Sequence, residues 1–144
     1  MTSTPTREVN KRTVRRFMDE VSGKGNIGLI DELVAEDMVD HTEFGETQGR
    51  EALKQTFEGL SAAFPTHENT IEEIVAEGDT VAIRVSSRLT HEGNFMGIEA
   101  TGQQVQTEGI VFFRLRDGKI VERWVQFDTL GMMQQLGVAE QPVG

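Results

Sequence analysis

The chain predicts an α+β fold, and three observations carry that reading. Helical periodicity fills the first half, strand alternation fills the second, and Asp117-Gly118 supplies a strong hairpin signal between the last two strands. Helices segregated from a run of antiparallel strands are the α+β pattern. A long curved sheet wrapped around a helix leaves a conical cavity. At 144 residues the chain reads as a single domain over 1–144.

Residues 1–6 read as a tail. From Arg7 a helix is expected, because Val14, Phe17, Met18 and Val21 fall at i, i+3, i+4 and i+7. Arg7, Lys11, Arg12, Arg15 and Arg16 give it a solvated basic face, and Gly23-Lys24-Gly25 ends it. A short helix over 26–35 follows, with Asn26 as N-cap and Ile27, Ile30, Leu33 and Val34 as its apolar side. Glu36 to Gln48 is polar and is expected to be irregular. A third helix over 49–63 buries Ala52, Leu53, Thr56, Phe57 and Leu60, and Phe64-Pro65 stops it.

The period then changes to two. A strand over 68–77 reaches the turn Glu77-Gly78-Asp79. In the strand 80–90, Val81, Ile83, Val85, Ser87 and Leu89 alternate against Ala82, Arg84, Ser86 and Arg88. Residues 92–102 are loop-like, and a strand over 103–115 leads into the hairpin. The last strand spans 119–128, and a short helix carries Leu130, Met133 and Leu136, with Gly137 at a C-cap position.

Composition excludes several functions. Acids outnumber bases 24 to 14, a net charge of −10, which argues against nucleic acid and anionic membrane as partners. The scarcity of lysine beside so many acids suits either an ordinary acidic cytosolic protein or one working at high salt. No cysteine is present, so thiolate chemistry and disulfides are out. The polar N-terminus lacks a signal-peptide centre, and no apolar run is long enough to span a membrane, so a cytoplasmic location is expected. No HExxH, GxSxG, GxGxxG or P-loop pattern occurs.

Trp124, Gln126 and Asp128 share one strand face, which suits a pocket wall. A carboxylate in a partly apolar pocket can act as general base or acid near neutrality. Asp128 is also a favoured residue for capping the final helix. His41 and His91 lie near element ends and could orient an acid or donate to a developing oxyanion. His67 reads as a surface or capping group. Arg84, Arg88 and Arg114 lie in strands; Arg84 and Arg88 share a face, and either could bind a substrate carbonyl or pair with an acid.

Five stretches, in order and at the right spacing, carry a family resemblance. They are Asp40-His41 with Gly45 and Gly49-Arg50-Glu51; Ala63-Phe64-Pro65; 76–84; Thr90-His91 through Ile98 with Thr101-Gly102; and 117–128 with Leu130-Gly131 and Gln135-Leu136-Gly137. Over residues 10–137 the chain resembles the SnoaL-like polyketide cyclases of the nuclear transport factor 2-like superfamily. The resemblance implies a cone-shaped α+β barrel, its strongly curved antiparallel sheet closed by N-terminal helices. It implies a small-molecule substrate, no metal or cofactor, and intramolecular aldol cyclisation. Proton-transfer isomerisation or hydration is the variant, and non-catalytic ligand binding the alternative. Asp128 matches the family's acid/base. His41 and His91 match its histidine motifs, with Trp124, Gln126, Arg84, Phe95 and Phe64 as substrate-binding candidates. The chain departs in having Val125 where many relatives carry a second acid and Arg123 where histidine is frequent. A homodimer or higher homo-oligomer is expected through an outer sheet face carrying Val111 and Phe113 or their neighbours.

Overall fold

The computed structural model describes residues 4–138. Helix α1 (Thr4–Arg16) runs into a π-helical stretch, Phe17–Gly23. Residues 4–6, expected in a tail, therefore open the helix, while 1–3 lie outside the described residues. The wider turn still keeps Val14, Phe17, Met18 and Val21 buried on one side. A 3₁₀ turn (Ile27–Leu29) and the four-residue α2 (Ile30–Leu33) stand where one longer helix was expected, and Asn26 makes no side-chain cap. Helix α3 (Arg50–Ala63) follows the expected bounds closely.

The polar stretch 36–48 is not irregular. It forms β1 (Val34–Thr42) and β2 (Gly45–Gln48). The alternation of β1 is hidden because its register slips between Val34 and Val39, leaving Glu36 and Asp37 exposed side by side. Its inward Asp40 is moreover a charge. The remaining strands are β3 (Thr66–Glu77), β4 (Thr80–Thr90), β5 (Gln104–Arg116) and β6 (Lys119–Phe127). Helix α4 (Thr129–Gln135) ends the described chain, with Gly137 at φ +81° just beyond it.

The sheet order is β2-β1-β6-β5-β4-β3. All neighbours are antiparallel except β1 and β6, which run parallel, so the sheet is mixed rather than purely antiparallel. It curves around α1 and α3 but stays open, with β2 and β3 as its edges. The β5–β6 turn uses Asp117 at φ 54° and Gly118 at φ 75°, the paired positive angles of a tight hairpin.

Phe17 is the centre of the core, edge-on to Phe57 of α3 (5.4 Å) and Phe113 of β5 (6.0 Å). In β5 the inward set is Val105, Thr107, Val111, Phe113 and Leu115. Val111 and Phe113 therefore belong to the core. Their neighbours Ile110 and Phe112 stand on the outer face, 53% and 47% exposed. No described helix is long and apolar enough to cross a membrane.

Candidate functional site

A β-bulge decides which side chains of β6 reach the interior. Leu115 pairs with Ile120, but Arg114 pairs with Glu122, so Val121 is an extra residue. An extra residue inverts the alternation beyond it. Ile120 points inward, and so do Arg123 and Val125. Glu122, Trp124 and Gln126 are turned to the outer face.

Inside the cone lies a cavity of about 440 Å³. Phe57, Leu60, Phe64, Phe95, Val111 and Val125 make most of its wall. The polar groups lining it are Ser22, Thr56, His67, Ser87, Thr107 and Arg123, with Thr42, Glu43, Gln55, Asn94 and Thr129 toward the outside. Phe44 and Met96, both more than half exposed, mark its mouth. An apolar cleft with a small number of fixed polar groups is the usual form of a small-molecule site.

Arg123 is 6% exposed and Asp40 1%. Nε donates to Asp40 Oδ1 at 2.7 Å and Nη2 to Oδ2 at 3.0 Å. The guanidinium also lies 5.1 Å from the Phe57 ring and 5.7 Å from that of Phe17. This fork fixes the group and leaves Nη1 as the arm not turned to Asp40. His67, on β3, is desolvated by burial, which holds its pKa below the ordinary 6.5, with a partly opposing hydrogen bond from its ring to Asn69. It is therefore neutral at physiological pH and able to accept a proton. At the mouth, Glu43 accepts from Phe127 N at 2.7 Å and from the Thr129 hydroxyl, tying the β1–β2 turn to the start of α4.

The sequence candidates divide. Phe64 and Phe95 line the cavity, 5.0 Å apart and edge-on. Asp128 does not line it: the residue is exposed, caps α4 and accepts from Gly131 N at 2.9 Å. Its neighbours Phe127 and Thr129 do line the cavity, so the carboxylate sits at the rim and out of phase. Trp124 is on the outer face, stacked on His41 at 5.2 Å with the Arg114 guanidinium 5.1 Å from its ring. His41 Nε2 lies 2.7 Å from Glu122 and its Nδ1 3.2 Å from Glu46, an outer-face cluster complete in itself. Gln126 is exposed on that face, and Arg84 pairs there with Glu73 at 3.0 Å.

His91 is fully buried but stands behind the wall, its ring 5.5 Å from Phe64. Nδ1 accepts from Thr101 N at 3.3 Å, and the His91 backbone bonds Gln103 and Gly102. It thus pins the 91–103 loop that carries Phe95. Gly93 seats that loop on α3, since a Cβ there would meet Ala62 O at 2.2 Å. Among the described residues no cluster of His, Cys, Asp or Glu is arranged to hold a metal ion.

Sequence reasoning missed Arg123, His67, Ser87 and Thr107. For Ser87 and Thr107 a signal existed: each is a polar residue in phase with an otherwise apolar inward run. For Arg123 none did, because the bulge has no sequence mark.

Comparison with known proteins bears on this site. The model of the SnoaL-like polyketide cyclases matches residues 12–136. Aklanonic acid methyl ester cyclase DnrD from Streptomyces peucetius is 36% identical over 94 residues, covering 64% of each chain. The chain thus spans less than two thirds of that relative's length. The crystal structure of IdmH from Streptomyces antibioticus, assigned as a polyketide cyclase, is 33% identical with a TM-score of 0.78, covering 90% of this chain and 99% of that one. A protein from Jannaschia sp. CCS1, assigned as a SnoaL-like polyketide cyclase, superposes with a TM-score of 0.87 at 25% identity over 99% of both chains.

Proposed function

Since the chain belongs to the SnoaL-like polyketide cyclase family, we propose that it is an acid/base enzyme on a small, mostly apolar carbonyl compound, closing a ring by intramolecular aldol addition. The observation that carries this is a largely apolar cavity holding one clamped guanidinium and one half-buried histidine whose pKa is lowered by desolvation. His67 takes the proton alpha to a carbonyl. The Arg123 Nη1 arm donates to the enolate oxygen that develops, a contact worth most where water is excluded. The α-carbon then bonds to the second carbonyl carbon. The new alkoxide recovers the proton from the imidazolium, so atoms and electrons balance without a cofactor. Asp128 is assigned to the cap, not to proton transfer.

One observation favours non-catalytic binding instead: the inner face of β6 carries Val125 and no carboxylate. Deuterium exchange at the α-carbon of 1-tetralone in D₂O, followed by NMR, separates the two. Catalysed exchange that His67→Gln slows by about 10²–10⁴-fold supports the enzyme. Binding of 1-tetralone with exchange no faster than in buffer supports the binding protein. A homodimer paired through Ile110 and Phe112 belongs to the same reading, and light scattering that gives only the 16.0 kDa monomer removes it.

A further inference from the structure

Resting on the reading of the cavity as a ligand site, we propose that Thr107, with Ser87 beside it, is the determinant that selects a hydroxyl group on an otherwise apolar ligand. Asn69, Ser87 and Thr107 form one row across β3, β4 and β5, paired in register. Ser87 Oγ donates to Asn69 Oδ1 at 2.6 Å, and the Asn69 amide donates to Met18 O at 3.0 Å and Ser22 Oγ at 2.9 Å. That network closes without Thr107.

Thr107 is 7% exposed and lines the cavity, yet its Oγ1 is buried with no hydrogen-bond partner. A buried hydroxyl without a partner burdens the fold, and valine would occupy the same β-branched shape without it. No hydrogen bond of the strand or its neighbours uses the oxygen. A ligand supplies the partner.

The two hydroxyls offer different things. The Ser87 proton is committed to Asn69, so its oxygen presents lone pairs. The Thr107 hydroxyl is free to donate. A ligand O–H between them accepts from Thr107 and donates to Ser87, whereas a carbonyl or ether oxygen satisfies only the first. A site built this way rejects the analogue lacking the hydroxyl, because its own polar groups stay unpaired.

The test is calorimetric titration of 2-naphthol and its apolar isostere 2-methylnaphthalene against wild type, Thr107→Val and Thr107→Ser. Wild type should prefer 2-naphthol. Thr107→Val should weaken 2-naphthol by roughly three- to tenfold, the worth of one neutral hydrogen bond. It should leave 2-methylnaphthalene unchanged, and Thr107→Ser should keep most of the preference. Without ligand, Thr107→Val should melt at or above the wild-type temperature. A lower melting temperature makes the hydroxyl structural and overturns the proposal. So do equal losses for both compounds, or an unchanged 2-naphthol affinity. Failure of both compounds to bind wild type removes the ligand site itself. Selective binding without catalysed 1-tetralone exchange removes only the catalytic reading.

Discussion

Asp40→Asn isolates what the buried ion pair does. The substitution keeps the shape and one acceptor but leaves the Arg123 charge uncompensated, with Arg123 only 6% exposed. Removing one partner of a buried pair costs about 3–5 kcal/mol. The lower end applies here, because the guanidinium borders a cavity that water can enter and the Phe17 and Phe57 rings remain beside it. A loss of about 3 kcal/mol is a large share of the 5–15 kcal/mol of a typical domain. Unfolding entropy of roughly 2.1 cal/mol/K per residue gives about 0.3 kcal/mol/K for this chain, so the melting temperature should fall by about 10 °C. Circular dichroism melts and urea titrations measure it. The double variant Asp40→Leu with Arg123→Met should recover most of the loss, since apolar replacement of a buried pair is often neutral. That variant should fold and still fail to catalyse 1-tetralone exchange. Equal melting of Asp40→Asn and wild type would refute the argument, and so would a double variant no more stable than the single one.

Two further outcomes follow from the site. Unfolded, His67 titrates near 6.5, and folded, burial holds it lower. Between those values the unfolded chain binds more protons, so the stability tied to this group is complete above pH 6.5 and declines as pH falls through the window. His67→Gln should flatten that part of the pH–stability curve measured by urea unfolding, and an unchanged curve would contradict the burial argument. For Asp128, Ala should destabilise by about 1 kcal/mol and Asn by little, because Asn caps nearly as well. Both should keep activity, and a loss of about 10²-fold or more in Asp128→Asn would return the acid/base role to this residue.

What the sequence makes legible is what burial alone decides. Val14, Phe17, Met18 and Val21 mark a buried helix face whether the backbone there is α or π, since either keeps them on one side. The run Val81 to Leu89 marks its strand because nothing interrupts the period of two. Strand β1 escapes notice for two reasons: a register slip breaks its pattern, and its buried Asp40 is tolerable only beside Arg123, a residue 83 positions away. Long-range compensation of that kind has no local signature.

The same physics explains why the face of β6 that carries Trp124 and Gln126 is not the cavity wall. Counting in twos from the buried Ile120 leads through Glu122, Trp124 and Gln126 to Asp128, which a regular strand would put on the inward side with it. Val121, inserted against Arg114 and Leu115, rotates that side outward and brings Arg123 and Val125 in. A bulge at a sheet margin re-aims side chains without changing composition. Its consequence here is a division of labour along one strand. The outward set assembles the His41–Trp124–Arg114–Glu122 cluster that covers the sheet. The inward set supplies the one guanidinium that lines the cavity among the described residues. Deleting Val121 should remove the bulge and leave Leu115–Ile120 and Arg114–Glu122 as successive regular pairs, so Arg123 stays inward and Trp124 outward. Because Trp124 is the only tryptophan, its emission should not shift in the deletion variant. A blue shift in a variant that still folds would mean that something other than these pairs sets the phase of β6.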